Sequence, residues 1–330
     1  MKILAIETSC DETSAAVVED GVRLLSNVIS SQIDIHKAFG GVVPEVASRR
    51  HLELVIPTVS EALEKASMTL DDVEAVACVN RPGLIGALVV GVAAAKAIAL
   101  GRGIPLIGVH HLEGHIYANW LSGEDITFPL VCAVVSGGHS DVIYMKDHGQ
   151  YEIMARTRDD AAGECFDKTA RAMGLGYPGG PAIDKAAALG DPKAVKLPRG
   201  RIDDSLDFSF SGLKTAVIRY LDKNPGCNIN DLAASLQANV VNTLAGRIFD
   251  IAKMKRVNRI MVAGGVAANS YLQKTMKERA AALNFQVSVP PPVLCTDNAA
   301  MVGAAAWFRY MAGDISGLDL DARASEPITG

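Results

Sequence analysis

The chain repeats one short pattern, and this repeat limits the folds that are open to it. Its first copy begins with residues 2–7 (KILAIE), an apolar run that predicts a buried strand. A tight polar turn, Thr8 to Asp11, leads to a second strand at 14–19 (SAAVVE). A turn at Asp20-Gly21 then joins this strand to a third one at 22–30, as in a β-hairpin. The start of the chain therefore predicts three consecutive strands with a small polar turn after the first.

The second copy of the pattern starts after Phe128. It has a strand at 130–135 (LVCAVV), a polar turn at 136–140 and a returning strand at 141–146. We infer an internal duplication, which predicts two similar halves that face each other across a cleft. Backbone N–H groups of such turns can face phosphate oxygens, and Asp11 in the first turn can reach a cation or a reacting proton. The alternative is a pair of ordinary hairpin turns, which Ser and Asp also favour.

The rest of the sequence alternates helical and strand patterns, which indicates an α/β fold. The run 84–100 predicts a buried helix, because Lys96 interrupts it and it is shorter than the roughly 20 apolar residues of a membrane span. We expect the terminal residues 313–330 to be loosely ordered. The predicted helices are 44–65, 85–101, 230–255, 270–283 and 298–312, and the further strands are 73–79, 105–109, 259–263 and 285–289.

Composition narrows the class of protein. A chain of 330 residues can form two domains, and its net charge of −5 means that nucleic acid could bind only at a local basic patch or through a partner. Two such basic runs occur, at 193–201 and 253–259. The six cysteines are scattered without a C-x-x-C pair, and the N-terminus lacks the apolar core of a signal peptide. We therefore expect a cytoplasmic protein without a membrane segment.

A pair of histidines suggests a metal site. His111 and His115 are four residues apart, so on a helix they lie on one face and can hold one metal ion. The same spacing also arises by chance on a polar helix face. A zinc protease would need its glutamate directly after the first histidine, whereas Glu113 comes one position later. Asp297, an oxygen donor just before a predicted helix, is a candidate third ligand.

Two further stretches could contact a nucleotide. Strand 259–263 runs into a glycine-containing loop at 264–270 and then a helix, an arrangement that recurs in nucleotide-binding proteins, although the loop is not G-x-G-x-x-G. A group of carboxylates that includes Asp159, Asp160 and Glu164 precedes a Gly/Pro loop at 175–181. These carboxylates fit ribose and phosphate binding, but a solvated helix face is the preferred interpretation.

Eight motifs together resemble those of the bacterial branch, TsaD, of the tRNA threonylcarbamoyladenosine-forming transferase family. The resemblance covers nearly the whole chain and implies an actin/Hsp70/hexokinase-like (ASKHA) α/β fold, with two ribonuclease-H-like lobes around a central cleft. We expect one lobe at 1–128, on which a helix at about 299–313 packs back, a second lobe at 129–298 and a tail at 314–330. The motifs are ETSCDET (7–13), GGVVPEVASR (40–49), HLEGH (111–115), VSGGHS (135–140), GECFDKTARAMGLGYPGGPAID (163–184), FSFSGLKTA (208–216), GGVAANS (264–270) and CTDNAAM (295–301).

The resemblance implies a metal-dependent acyltransferase. Its reaction moves threonylcarbamoyl from threonylcarbamoyl-adenylate to the exocyclic amine of the adenosine next to the anticodon, in tRNAs that read codons beginning with A. By match to the family motifs, His111, His115 and Asp297 hold the metal, and Asp11 is required for transfer. The residues implied to hold the adenylate are Val135, Ser136, Gly137, Gly138, His139, Asp167, Gly180, Asp184 and Asn269.

The resemblance also implies cofactors and partners. The cofactors are one divalent metal ion per subunit, with Fe²⁺ preferred to Zn²⁺, and an adenylate or ATP-type nucleotide. The partners are tRNA, a TsaB-like paralogue in a heterodimer, a TsaE-like ATPase and a TsaC-like synthase that supplies the adenylate. One departure is Arg81, where the family usually has glycine; it leaves the loop shape open and adds a cation that could meet RNA.

Other functions remain as alternatives to the transferase. The main one is an ATP-hydrolysing or kinase-like enzyme of the same superfamily, which would bind nucleotide without tRNA and would leave the two histidines and Asp297 unexplained. A metalloprotease is disfavoured by the position of Glu113. A non-catalytic protein that binds a nucleotide and a partner is the third alternative.

Overall fold

The computed structural model describes residues 1–200, 202 and 204–328. Within these residues the chain forms ten strands and eleven α-helices. The strands are β1 (Lys2–Glu7), β2 (Glu12–Glu19), β3 (Arg23–Ser31), β4 (Ala75–Arg81), β5 (Leu106–His110), β6 (Leu130–Val135), β7 (Ser140–Met145), β8 (Tyr151–Ala155), β9 (Arg259–Ala263) and β10 (Gln286–Ser288). The helices are α1 (Ile33–Lys37), α2 (Pro44–Lys65), α3 (Ile85–Arg102), α4 (His111–Tyr117), α5 (Ala162–Ala172), α6 (Gly179–Ala187), α7 (Ser211–Lys223), α8 (Ile229–Lys255), α9 (Ser270–Leu283), α10 (Pro292–Cys295) and α11 (Ala299–Met311).

The chain divides into two compact units, each built on one five-stranded sheet. Unit 1 comprises Met1–Ile126 and Val293–Gly330, and unit 2 comprises Thr127–Pro292. The strand order is β3-β2-β1-β4-β5 in unit 1 and β8-β7-β6-β9-β10 in unit 2. In both sheets the first three strands in chain order pair antiparallel, the fourth pairs in parallel with the first, and the fifth pairs in parallel with the fourth. The two sheets therefore have the same topology, which confirms the inferred duplication.

Small residues let helix α11 pack closely on the sheet of unit 1. The helix is rich in alanine, and its residues Ala299 to Ala306 are buried. It contacts β1, β2 and α4. At Gly303 a β-carbon would lie only 2.7 Å from Cγ2 of Val18 on β2, so a larger residue would push the helix off the sheet. The packing of α11 fixes the residues just before it, including Asp297, within unit 1.

Helix α3 differs from its prediction as a buried helix. Leu88 and Val92 are buried, but Ile85 and Val89 are each 51% exposed. By length and composition alone, α3 is the one helix of the described residues that could cross a membrane. It packs against α2 and β4, so we interpret it as a half-buried helix of the folded unit.

The terminal segment is also better ordered than predicted, over residues 314–328. Ser316 pairs with Leu106 at the edge of the sheet, and its hydroxyl accepts a hydrogen bond from the amide of Gly108 at 3.0 Å. The side chain of Asn80 donates to the carbonyl of Asp321 at 3.0 Å, and the backbone carbonyl of Asn80 accepts from the amide of Arg323 at 2.9 Å. Backbone groups of Asn80 in β4 and of Leu106 and Gly108 in β5 obtain partners in this way, which explains the order. Residues 329 and 330 lie outside the described residues.

Arg81 belongs to this contact with the terminal segment. Its Nε lies 2.8 Å from a carboxylate oxygen of Glu326, and Nη1 donates to Oδ1 of Asn80 at 2.7 Å. The side chain is only 18% exposed. The charge of Arg81 is therefore already paired within unit 1, and a contact with RNA stays a prediction.

Candidate active site

Three side chains of unit 1 form the candidate metal centre: His111, His115 and Asp297. Their ligand atoms all lie within 4.8 Å of one another. Oδ1 of Asp297 is 3.2 Å from Nε2 of His115 and 3.5 Å from Nε2 of His111. The structure thus brings together residues that are more than 180 positions apart in the sequence.

Local structure holds each of the three in place. The strand β5 ends at His110, whose Nδ1 accepts a hydrogen bond from the amide of Leu112 at 3.2 Å and so caps α4. His111 and His115 then lie one turn apart on this helix. Asp297 precedes Asn298, whose side chain accepts from the amide of Met301 at 3.1 Å and caps α11. Two capped helices, α4 and α11, therefore position the three side chains at the candidate metal centre.

The electrostatics of the cluster favour a cation. Burial by itself lowers the pKa of His111, but the nearby carboxylates of Asp297 and Glu7 raise it to about 9. Burial lowers the pKa of His115, which is fully buried. A metal ion between these nitrogens and Asp297 would replace the proton that His111 otherwise carries.

Two further observations fit a metal ion at this cluster: the distances between the ligand atoms, and a buried ring nitrogen of His115 that has no hydrogen-bond partner. Ligands placed tetrahedrally at about 2.1 Å from one ion are separated by about 3.4 Å, close to the two measured separations. Among the described residues, the buried Nδ1 of His115 has no hydrogen-bond partner, and the buried Nε2 has only the carboxylate of Asp297 3.2 Å away. Such a nitrogen is costly to bury unless something coordinates it. Two imidazoles and one carboxylate suit Zn²⁺ or Fe²⁺.

Two further carboxylates lie beside this cluster, Asp11 of the first polar turn and Glu12 at the start of β2. Asp11 is buried, and its carbonyl accepts from the amide of Gln32 at 3.0 Å. Burial and the charges of Asp297 and Asp11 raise the pKa of Glu12 to about 10. The end of the turn and the start of β2 therefore present acidic groups to the same region as Asp297.

Sequence reasoning missed the residues that support His111. Glu7 is fully buried at the end of β1, and its Oε2 lies 3.3 Å from Nδ1 of His111. The hydroxyl of Ser9 is 3.1 Å from the same nitrogen. The amide of Ser9 donates to the other oxygen of Glu7 at 2.5 Å. A glutamate that ends an otherwise apolar strand was the available signal in the sequence.

In unit 2 the second polar turn forms as predicted, between β6 and β7. The amide of Ser136 donates to the carbonyl of His139 at 2.8 Å, and Oγ of Ser136 accepts from the amide of His139 at 3.2 Å. The Gly137 and Gly138 backbone faces open space, since an added β-carbon would meet nothing within 4 Å. Val135, which ends β6, approaches the loop at Gly264 so closely that a β-carbon there would lie 2.5 Å from its carbonyl oxygen.

The remaining predicted adenylate residues lie on the helices of unit 2. Asp167 on α5 accepts the amide of Gly179 at 2.7 Å, and Gly180 is in the open first turn of α6. Asp184 on α6 accepts from Gln237 at 2.5 Å and from the hydroxyl of Ser270 at 2.8 Å. These contacts join α5 to α6 and α6 to α8 and α9.

Asn269 caps the last of these helices. Its Oδ1 accepts from the amide of Leu272 at 2.9 Å at the start of α9. Its Nδ2 is buried and has no hydrogen-bond partner in the described part of the chain. Asn269 therefore keeps one buried donor without a partner beside the Gly264–Ala268 loop.

The carboxylates at 159–164 have structural partners. Asp159 accepts from the hydroxyls of Ser209 and Ser211 at 2.5 and 2.7 Å and from the amide of Phe210 at 2.8 Å. Lys168 pairs with Asp160 at 2.7 Å and with Glu164 at 2.8 Å. These groups hold a loop and a helix face.

Comparison with known proteins identifies the family. The model of the TsaD family, described as tRNA N6-adenosine threonylcarbamoyltransferase, matches residues 23–304. Among curated proteins, the enzyme of that name from Dehalococcoides mccartyi is 56% identical over 321 residues, or 97% of each chain. The one from Clostridium kluyveri is 54% identical over 328 residues, or 98% of this chain and 96% of the relative.

Solved structures that are distant in sequence share the fold. A full-length HypF structure in a phosphate- and nucleotide-bound form has a TM-score of 0.64 at 15% identity, covering 94% of this chain and 46% of that one. Component A of the Acidaminococcus fermentans (R)-2-hydroxyglutaryl-CoA dehydratase has a TM-score of 0.55 at 15% identity, covering 94% and 99%. The predicted ASKHA-type α/β fold is thus confirmed. The chain belongs to the TsaD family of tRNA N6-adenosine threonylcarbamoyltransferases.

Proposed function

We propose that the chain is a metal-dependent acyltransferase that moves threonylcarbamoyl from threonylcarbamoyl-adenylate to N6 of the adenosine next to the anticodon. The tRNA substrates are those that read codons beginning with A. The observation that carries this proposal is the cluster of His111, His115 and Asp297, because a family member with these three ligands assembled has what a metal-dependent transfer requires.

The chemistry needs a polarised carbonyl, a held leaving group and an acceptor for a proton. Fe²⁺ or Zn²⁺ bound by the three side chains would supply a Lewis acid with open positions for the carbamoyl oxygen. N6 of adenosine forms a bond to the carbamoyl carbon, the bond from that carbon to the phosphate oxygen breaks, and AMP leaves. We assign Asp11 either to accept the proton of the amine or to orient it.

Unit 2 would hold the adenylate. The open backbone of Gly137 and Gly138 and the first turn of α6 at Gly180 offer N–H groups of the kind that bind phosphate. The unpaired Nδ2 of Asn269 can donate to the nucleotide. We assign to the same site Val135, Ser136, His139, Asp167 and Asp184. The two aspartates would act by holding helices α5, α6, α8 and α9 together through the hydrogen bonds described above.

We further propose a TsaB-like paralogue as a partner in a heterodimer, with α2 and α3 as its surface. Leu52 and Ile56 on α2 are 66% and 61% exposed, and Ile85 and Val89 on α3 are each 51% exposed. Within each pair the two residues are four positions apart, so they lie on one face of their helix. The helices α2 and α3 approach each other closely near these pairs, at Ser48 and Gly86. Exposed apolar faces of this kind indicate a protein interface.

The remaining partners and the location follow from the proposed reaction. A TsaC-like synthase would supply the adenylate, and a TsaE-like ATPase would act with the heterodimer. The six cysteines are all free thiols in the structure, which fits a reducing cytoplasm.

Reconstitution tests the proposal. The purified chain is mixed with the paralogue, the ATPase, an adenylate source and unmodified tRNA, and the digested tRNA is analysed by mass spectrometry. We expect threonylcarbamoyladenosine with the wild type and none with His111→Ala or Asp11→Ala, because these lose a metal ligand and the proposed proton acceptor. Glu113→Gln is the control, since Glu113 pairs with Arg309 at 2.8 Å and should keep activity. ATP turnover without tRNA product would instead support the kinase-like alternative.

A further inference from the structure

A cavity of about 450 Å³ in unit 2 has no part in the site described above. It lies between helix α8 and the loop 192–199, and its lining includes Lys196, Arg199, Asn239, Arg247 and Asp250. We propose that this cavity, called here the α8 groove, binds backbone phosphates of the tRNA. The inference rests on the proposed function, because it concerns the RNA substrate of the transfer.

The loop over the α8 groove is held by α8 itself. Asn239 donates through Nδ2 to the carbonyls of Leu197 and Pro198, at 3.3 and 2.8 Å. The hydroxyl of Ser235 accepts the amide of Val195 at 3.0 Å. The basic side chains of the loop therefore project from a fixed backbone, which lowers the entropy lost when they bind a ligand.

Cations dominate the groove. Lys196 and Arg199 are exposed, and neither has an ion pair within the described residues. Arg247 adds a third charge, and Asp250 is the acidic lining residue. Arg279 of α9 reaches the same part of α8, where it donates to Oδ1 of Asn242 at 2.6 Å. In a chain of net charge −5, this is a local patch suited to an anion.

Two buried polar atoms in the groove lack partners. Nε of Arg247 and Oδ1 of Asn239 are both buried without a hydrogen bond among the described residues. Arg247 uses Nη2 for the carbonyls of Ile202 and Ser205, which orients Nε. One unmet group is a donor and the other an acceptor, eight residues or about 12 Å apart along the helix. Both atoms are shielded from solvent, so the phosphate contact is assigned to the exposed cations Lys196 and Arg199.

The structure also distinguishes the two basic runs of the sequence. In the run 253–259, Lys255 is engaged, since Nζ lies 2.8 Å from both carboxylate oxygens of Glu152 and 4.6 Å from the ring centre of Tyr144. In the run 193–201, Lys196 and Arg199 line the groove, and Arg201 lies outside the described residues. Lys255 therefore has little charge to offer, although Lys253 and Arg256 of its run are exposed. Within the described residues, only the run 193–201 places its cations at the lining of the α8 groove, and there the proposed contact lies.

The test is the salt dependence of tRNA binding by the full chain. Lys196→Ala, Arg199→Ala and the double variant are compared with wild type between about 50 and 200 mM salt. Both side chains are exposed, so their loss should leave the fold intact. Each lost phosphate contact should reduce the slope of log K against log salt by about 1. Lys255→Ala removes the same charge and should keep the wild-type slope.

Each outcome decides the proposal. If the double variant keeps the wild-type slope, or if Lys255→Ala changes the slope equally, the proposed binding of tRNA phosphates in the α8 groove is overturned. The transferase function would still stand. Weaker binding of AMP or inorganic phosphate by the double variant, with an unchanged tRNA slope, also overturns it, because the groove then takes a small anion. If wild-type protein forms no modified nucleoside in the reconstitution, the proposed function fails independently of these slopes.

Discussion

At the scale of single residues, Glu7 is the side chain whose effect is most directly testable. Its buried carboxylate contacts Nδ1 of His111, which leaves Nε2 directed at Asp297. Carboxylates in this position fix the tautomer of a ligating histidine and raise its basicity, and their loss typically weakens metal binding 10- to 100-fold. We therefore expect Glu7→Gln to lower the affinity for Zn²⁺ by about 10- to 100-fold in a competition titration with a coloured chelator.

Glu113→Gln is the matched control for this titration. Glu113 is also a buried glutamate and lies on the same helix as both histidines, but its contact is with Arg309. Its replacement should leave the affinity within about 3-fold of wild type, a change of less than 1 kcal/mol. Equal losses in the two variants would mean that Glu7 acts only through stability and does not position His111.

At the scale of elements, two adjacent glycines at the start of α6 should respond in opposite ways to the same substitution. A β-carbon on Gly179 would lie 2.4 Å from Cα of Asp167, within the contact between α5 and α6. Gly179→Ala should therefore force the helices apart and destabilise unit 2 by about 1–3 kcal/mol. A β-carbon on Gly180 would meet nothing within 4 Å.

Gly180→Ala should be neutral or stabilise by up to about 1 kcal/mol, because alanine favours a helix more than glycine does. Hydrogen exchange of the backbone amides in α5 and α6 would measure both effects. Faster exchange in Gly180→Ala than in Gly179→Ala would contradict the packing described for this pair of helices.

At the scale of the whole molecule, the candidate site residues are divided between the two units. The three predicted metal ligands belong to unit 1, and the predicted adenylate residues belong to unit 2. Both tryptophans, Trp120 and Trp307, are in unit 1. Metal at 100 times its Kd should stabilise that unit by about 2.7 kcal/mol, which raises the urea midpoint followed by tryptophan fluorescence.

His115→Ala is the control for this measurement. It removes a proposed ligand, so added metal should no longer raise the midpoint. A rise of the same size in His115→Ala would show that the metal binds elsewhere, and no rise in the wild type would rule out a site in unit 1.

The sequence alone determined most of the elements, since their signals are local. Apolar runs, the Asp20-Gly21 turn and the repeat after Phe128 depend on neighbouring residues, and the strands and both sheets follow them. The four-residue spacing of His111 and His115 likewise sets their common helix face. Asp297 was a candidate third ligand from its donor type and its place before a predicted helix, and the resemblance to the family supplied the adenylate residues as expectations.

Only the tertiary structure decided which distant groups meet. The packing of α11 on β1, β2 and α4 brings Asp297 to the histidines, and the end of β1 brings Glu7 behind His111. The partner of Arg81 is Glu326, a residue of a segment predicted to be loosely ordered. Local patterns report which face of an element is apolar, whereas these contacts depend on long-range packing and on the need of buried polar groups for partners.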